Sequence, residues 1–363
     1  LKNSPRSPIY HWFVLFTLLF ILTHPSFSQN FKSEKVNSGW AGYPVIFYTN
    51  RTNFAFGGYG IRHFNYEGSP HKSNLTAAFI YSLKGQIMSQ MAGKLYWPGY
   101  RLNADVDYLN FPDTFYGIGN NTHRQNAEEY SIERFGFDMT FQKELLSNLF
   151  VGFLYDFENY DLIKTEPGGI LELGILPGTH GPFKISGLGL SVNYDSRDHV
   201  VNCQNGNYIE FNWTFYDKSI GSDYRYMEYY LDLRHYLQVS QKSILAFQGT
   251  YTRISGYAPI QAYPVLGDDR MRGFSSRYMD KNLLTFQAEY RLNLLKKLGI
   301  VLFAGMGDVA DHFKNFDPSE FKFGAGFGFR YTILPANKLN LRFDLGFGTH
   351  ANSSMTFLPG EAF

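Results

Sequence analysis

Hydrophobic and polar residues alternate along most of the chain with a period of two. In LNLRFDLGF, Leu339, Leu341, Phe343, Leu345 and Phe347 share one face, and Asn340, Arg342, Asp344 and Gly346 share the other. In YIEFNWTFY, Ile209, Phe211, Trp213 and Phe215 oppose Glu210, Asn212 and Thr214. In FKFGAGFGFRY, Phe321, Phe323, Ala325, Phe327, Phe329 and Tyr331 oppose Lys322, three glycines and Arg330. Successive side chains of an extended strand point to opposite faces, so these segments predict half-apolar strands. About sixteen of them are present, a number in the range of membrane barrels. They begin near Pro44, Asn53, Asn74, Gln86, Tyr100, Tyr130, Asn148, Lys184, Asn207, Tyr224, Ser243, Leu283, Gly299, Phe321, Leu339 and Ser354. Turn-rich clusters such as NYEGSPHKSN and FPDTFYGIGNNTHRQN separate them.

Alternation alone fits a soluble β-sandwich, whose apolar face would be a core, as well as a membrane barrel. Two features favour the barrel. The polar face carries full charges, such as Glu289 and Arg291 in FQAEYRL, and Glu228, Asp232 and Arg234 in YMEYYLDLRHYL. The other face is large and apolar on nearly every strand, as a lipid-facing exterior around a wet lumen requires. Closure also removes the edges that so many long strands would expose. The predicted fold is therefore all-β, a transmembrane antiparallel β-barrel of about 16 strands.

Composition agrees. Gly (35), Phe (35) and Tyr (27) are abundant, as turns and aromatic girdles demand. Mean hydropathy is −0.26, and no segment after the N-terminus approaches the ~20 apolar residues of a membrane helix. Barrel strands average out in this way. At the N-terminus, Lys2 and Arg6 precede WFVLFTLLFIL, and Ser26 and Ser28 form a small-x-small site. These parts predict a signal peptide over 1–28, cleaved before Gln29. A short periplasmic segment, 29–43, and the barrel, 44–363, follow. The net charge of +1 gives no reason to expect nucleic acid as a partner. Cys203 is the single cysteine and forms no internal disulfide.

Catalytic patterns are missing from the sequence. The ten histidines show no HExxH spacing, and there is no Gly-x-Ser-x-Gly elbow and no phosphate loop. YTRISGY faintly resembles the Tyr-Thr-x-x-Ser segment of outer-membrane phospholipase, with Ser255 as nucleophile, but no matching His segment accompanies it. A strand-end Ser is ordinary, so no enzyme activity is expected, and no cofactor or metal. Asp268 and Asp269 have the chemistry to bind Ca²⁺ or bridge lipopolysaccharide, although a solvated loop explains them more simply.

One charged gap stands out. LGDDRMRGF (266–274), followed by LLTFQAEYR (283–291), resembles the sixth-loop motif and next strand of the Omp85 superfamily, the bacterial surface antigens that include the BamA and TamA barrels. Other segments match in order. GLGLSVNYDSRD (187–198) is similar to a family strand ending in an Asp-x-Arg-Asp corner, and FPDTFYGIGNNT (111–122) resembles an early loop of a subgroup. FGAGFGFRY and LNLRFDLGFG resemble the penultimate strands, and MTFLPGEAF (355–363) the last, with Phe363 as an assembly signal. A chain entering from the periplasm places residues 256–282 in the sixth outer loop, as the resemblance requires.

The resemblance implies a protein of the bacterial outer membrane, in contact with lipid and lipopolysaccharide and with periplasmic or surface accessory proteins. It implies a barrel that assists insertion, assembly or translocation of outer-membrane components. A passive or plugged pore and a structural surface antigen or anchor subunit remain open alternatives. In the family the sixth loop folds into the lumen, which singles out Met271, Arg272, Gly273 and Phe274. A buried Arg needs charged, hydrogen-bonding partners. Parity makes Glu289 and Asp344 candidates for Arg272. Gly305, Gly324, Gly326 and Gly328 would leave the wall bare for the loop backbone. Two departures matter. Gly305 stands where relatives carry an acid, and Asp308, of opposite parity, would reach the lumen only through a bulge. BamA and TamA carry POTRA domains before the barrel, whereas about fourteen residues separate the expected cleavage site from Tyr43, too few for a domain. Recruitment through such domains is therefore not expected.

Overall fold

A computed structural model of the protein describes residues 39–49, 53–69, 73–267, 270–274, 277–334, 338–350 and 352–363. The expected signal peptide and Asp268 and Asp269 lie outside the described residues. Sixteen strands form one antiparallel sheet in which each pairs with the next in sequence. They are β1 (Gly39–Thr49), β2 (Asn53–Phe64), β3 (Ser73–Ser82), β4 (Ile87–Trp97), β5 (Tyr100–Phe115), β6 (Glu128–Leu146), β7 (Leu149–Lys164) and β8 (Phe183–Asp195). β9 (Gly206–Tyr216), β10 (Arg225–Ser240), β11 (Ser243–Tyr257), β12 (Asn282–Asn293), β13 (Leu298–Ala310), β14 (Lys322–Leu334), β15 (Leu339–Gly348) and β16 (Asn352–Pro359) follow. The starts match the alternation pattern closely except for β1, which begins at Gly39 instead of Pro44, so Gly39–Tyr43 is wall. Among the described residues no ladder joins β1 to β16.

Loop lengths alternate. Connections such as 147–148, 241–242 and 294–297 are short and gather at one end. Residues 116–127, 165–182, 258–281 and 311–321 are long and gather at the other. The central strands are the tallest: β6 has 19 residues, and β5, β7 and β10 have 16 each. About 9–11 tilted residues suffice to cross a bilayer, so these strands are longer than a crossing requires. Contacts across the interior join distant parts of the wall. Asn120, after β5, donates from its amide nitrogen to Asp308 of β13 at 3.4 Å. The sheet therefore curls back on itself.

The two faces of each strand meet different surroundings. On β10, Tyr226, Glu228, Tyr230, Asp232 and Tyr236 are buried while Leu233 and Leu237 are exposed. On β13, Leu302 is 56% exposed between outward-facing Tyr290 and Phe327 on the neighbouring strands. The interior differs from a uniformly wet lumen. Toward the long-loop end, Leu109, Phe111, Ile132, Tyr160, Phe183, Ile185, Tyr216, Tyr226 and Ile254 form an apolar tier with Ala258 and Ala262 of the loop that follows β11. Loops that fold inward need a dehydrated seat, and these side chains supply one.

A charge on the outward face discriminates between lipid and water as its surroundings. Leu302→Arg is expected to lower bilayer-refolded stability by about 2–4 kcal/mol in a denaturant titration, as near-midplane arginines do in barrels. In a soluble sandwich the same half-exposed substitution would shift stability by no more than about 0.5 kcal/mol.

Candidate functional site in the lumen

The loop between β11 and β12, residues 258–281, enters the barrel. Its two arms form a short ribbon, Val265–Leu266 paired with Tyr278–Met279. At the mouth the loop is tied to its neighbours. The Gly119 N–H donates to the Met279 carbonyl at 2.7 Å, and Arg277 donates to the Thr122 carbonyl through Nε at 3.1 Å and Nη2 at 2.6 Å. The Ile260 N–H donates to the Pro177 carbonyl at 2.9 Å, and Gln261 Nε2 donates to the Gly178 carbonyl at 2.9 Å. The segment resembling an early family loop, 111–122, is thus one of the clamps on this loop.

The apex lies deep. Arg272 reaches Glu289, the eighth of the twelve residues of β12, more than halfway down that strand. Gly273 has φ 103°, a left-handed conformation that glycine adopts without steric cost. Its N–H donates to Ser354 Oγ at 2.7 Å. The wall beneath is bare. A Cβ on Gly346 would lie 2.6 Å from the Gly273 nitrogen, one on Gly348 2.6 Å from the Phe274 ring, and one on Gly324 2.7 Å from the Arg272 carbonyl oxygen. One on Gly305 would lie 3.3 Å from Met271 Sδ. Gly326 leaves room for the Phe303 ring, and Gly328 for the Asp344 carboxylate. All four glycines expected to line the lumen therefore face the loop or its charged seat. Met271 and Phe274 are buried with Leu266, Tyr278, Leu283 and Val309.

Arg272 is the centre of the seat. Its Nη2 is 2.6 Å from Glu289 Oε2, and its Nη1 donates to Asp344 Oδ2 at 2.9 Å. The guanidinium carbon lies 3.7 Å from the centroid of the Phe303 ring. The Arg272 and Glu289 side chains are 1% and 0% exposed. Arg291 Nε donates to Glu289 Oε1 at 2.6 Å, and Arg330 Nη1 donates to Asp344 Oδ1 at 2.5 Å. Two carboxylates thus serve several cations, and every charge is held by a neighbour.

Two expected features are corrected. Asp308 does not meet Arg272. It accepts from Lys322 Nζ at 3.1 Å. Nor does it need a bulge. The β12–β13 register runs unbroken through Leu284↔Asp308, whereas the β13–β14 ladder stops at Gly307↔Lys322. Beyond that last pair strict alternation no longer governs, and Asp308 through Ala310 are all buried. Phe363, expected in the last strand, lies outside it. β16 ends at Pro359, the chain turns at Gly360 with φ 96°, and Phe363 is buried inside the barrel beside Tyr236. Ser255 lies opposite Met227 on the outward face of β11, away from this seat.

Sequence reasoning missed Phe303, Ser354, Gly346 and Gly348 as parts of the seat, and Arg291, Arg330 and Glu361 as its extension. Parity places most of them on the inward face but says nothing of height along the wall. The Asp-x-Arg-Asp corner folds locally at the short-turn end. Arg197 Nε and Nη2 donate to Asp195 Oδ1 and Oδ2 at 2.8 Å each, and Asp198 accepts from the N–H groups of Gln204 and Asn205 at 2.9 and 3.2 Å.

Residues 71–356 match the Omp85 superfamily domain. The fold is similar to BamA from Haemophilus ducreyi lacking POTRA domains 1-3, with TM-score 0.56 and 13% identity, over 90% of this chain and 70% of that one. It is also similar to CdiB from Acinetobacter baumannii (TM-score 0.54, 10% identity, 88% of this chain and 59% of that one). CdiB from Escherichia coli gives TM-score 0.55 and 10% identity over 88% and 61%. This chain therefore spans about three fifths of the CdiB chains. No curated protein matches it in sequence.

A side chain on the bare wall should unseat the loop. Gly346→Val is expected to cost about 1–3 kcal/mol by overpacking and to speed tryptic cleavage at Arg270 and Arg277. Gly58→Ala, whose Cβ would have nothing within 4 Å, should leave cleavage unchanged.

Proposed function

We propose, from the premise that this chain belongs to the Omp85 superfamily, that it is an outer-membrane barrel assisting the insertion, assembly or translocation of outer-membrane components. One observation carries the reading: Met271–Phe274 sit on a glycine floor, with Arg272 between Glu289 and Asp344. An inert scaffold has no need of a dedicated seat for one loop. A passive pore is poorly served by a loop that fills its lumen and is tied across its mouth.

The chain's own residues suggest how it works. Loop 258–281 braces the wall of β12–β15 from inside, through Glu289, Gly305, Gly324, Asp344 and Gly346. It reaches β16 only near the start of that strand, where the Gly273 N–H meets Ser354, and the described contacts leave β1 outside its reach. β16 has eight residues and among the described residues pairs with β15 alone. A sheet edge with free backbone donors and acceptors accepts an incoming strand. A barrel stiff on one side and weakly joined at one seam can open there without collapsing. Substrates would be extended segments of membrane proteins, and periplasmic or surface accessory proteins would deliver them.

The test pairs two measurements on refolded protein. In planar bilayers the wild type should show a small, flickering conductance that grows or becomes unstable in Arg272→Ala. Removing one partner of a buried ion pair costs about 3–5 kcal/mol, enough to unseat the loop. In phosphatidylcholine vesicles the wild type should speed the folding of an added urea-denatured barrel protein, and Arg272→Ala should slow that gain. A large, steady current indifferent to the substitution, without accelerated folding, would establish the pore reading instead.

A further inference from the structure

After β16 the chain does not leave the barrel. Gly360 turns it inward, and residues 361–363 lie within the lumen at the short-turn end. Glu361 accepts from Arg330 Nε at 2.6 Å and from Asn340 Nδ2 at 2.7 Å. Arg291 Nη2 donates to the Phe363 carbonyl at 2.9 Å. The Phe363 ring lies 6.3 Å from that of Tyr236, and the Arg291 guanidinium carbon lies 5.7 Å from each of the two ring centroids. Tyr236 belongs to β10, so the tail passes from the last strand to the far side of β12 and β11. These contacts bury Ala362 and Phe363 with Ala246 and Cys203.

The arginines that hold this tail also hold the seat of the loop. Arg291 bridges Glu289 and the Phe363 carbonyl. Arg330 bridges Asp344 and Glu361. Arg272 closes the circuit from the loop side, on the same two carboxylates. Arg342 adds a fourth guanidinium, 3.8 Å from Asp344. Four buried cations therefore share three carboxylates, and one of those three comes from the tail. Without Glu361 the cluster would hold four cations against two anions. Without Arg272, Glu289 and Asp344 would draw Arg291 and Arg330 toward themselves and away from the tail.

We infer that loop 258–281 and the tail 360–363 are the two arms of one latch, coupled through Glu289, Asp344, Arg291 and Arg330, so that releasing either arm loosens the other. The loop enters from the long-loop end and the tail from the short-turn end, so an event at one mouth is felt at the other. A coupling free energy acts in both directions. The latch also fixes residues 360–363 inside the barrel, where they cannot extend β16 toward β1.

Cys203, the single cysteine, reports on the tail. Its thiol is buried in the same cluster and donates to Asp198 Oδ1 at 3.2 Å. Burial first, and then the neighbouring Asp198 carboxylate, raise its pKa to about 12. At pH 8 the native thiol is therefore protonated as well as covered, and a maleimide should label it slowly. The experiment measures that rate in refolded full-length protein. Glu361→Gln, which frees the tail, should raise it by at least about ten-fold, and Arg272→Gln, in the other arm, should raise it by a similar factor. Gly58→Ala, in the wall outside both arms, where a Cβ would meet nothing within 4 Å, should leave it unchanged. Arg272→Lys, which keeps the charge, supplies the measurement if Arg272→Gln does not refold, and is expected to give a smaller rise. Acceleration by Glu361→Gln but by neither Arg272 variant would overturn the coupling. No acceleration by Glu361→Gln would overturn the tail's role as an arm of the latch.

Discussion

Arg272 is charged, nearly inaccessible to solvent, and carried by a loop into the middle of the barrel. A guanidinium cannot shed its proton, so the surroundings must neutralise it. The rest of the lumen follows from that requirement. Glu289 and Asp344 flank it, the Phe303 ring covers its face, and Arg291 and Arg330 bind the remaining carboxylate oxygens. A fork with fixed donor directions tolerates few arrangements of two carboxylates, so the loop is held in register as well as in place.

The same strands solve a second problem on their other face. β13, β14 and β15 present Leu302, Phe323, Phe327, Phe329 and Phe347 outward. Inward they present Gly305, Gly324, Gly326, Gly328, Gly346 and Gly348. Large apolar side chains suit lipid, and a second layer of backbone packs closely only against a wall without side chains. Glycine weakens a strand, and here the weakness is offset by the contacts of the loop that covers it. Removing the loop would leave those strands as the least supported part of the barrel.

The filled lumen also shapes the reading of function. Loops from three hairpins are knitted at the long-loop mouth, and the tail occupies the opposite end. Traffic of polar solutes through such a barrel requires that at least one of these pieces move. The same pieces stiffen β12–β15 from inside, while β16 pairs with β15 alone among the described residues.

Period-two alternation was enough to place nearly every strand, because lipid on one side and protein on the other impose opposite chemistries on adjacent residues. Charge on the inward face, with the loop motif, identified Arg272, Glu289 and Asp344 before any coordinates. Parity fails where the ladder ends. Asp308 lies past the last β13–β14 pair, so its side chain is free to turn to Lys322. Phe363 lies past the Gly360 turn, where no strand direction remains to extrapolate. Parity also gives a face and not a height, so it could not tell that Gly346, Ser354 and Arg272 meet at one level. The sequence by itself determined the strands, their two faces and the chemistry of the lumen. Only the tertiary structure decided which charges meet and where the tail goes, because depth of insertion and the path after the last strand depend on contacts between residues far apart in the chain.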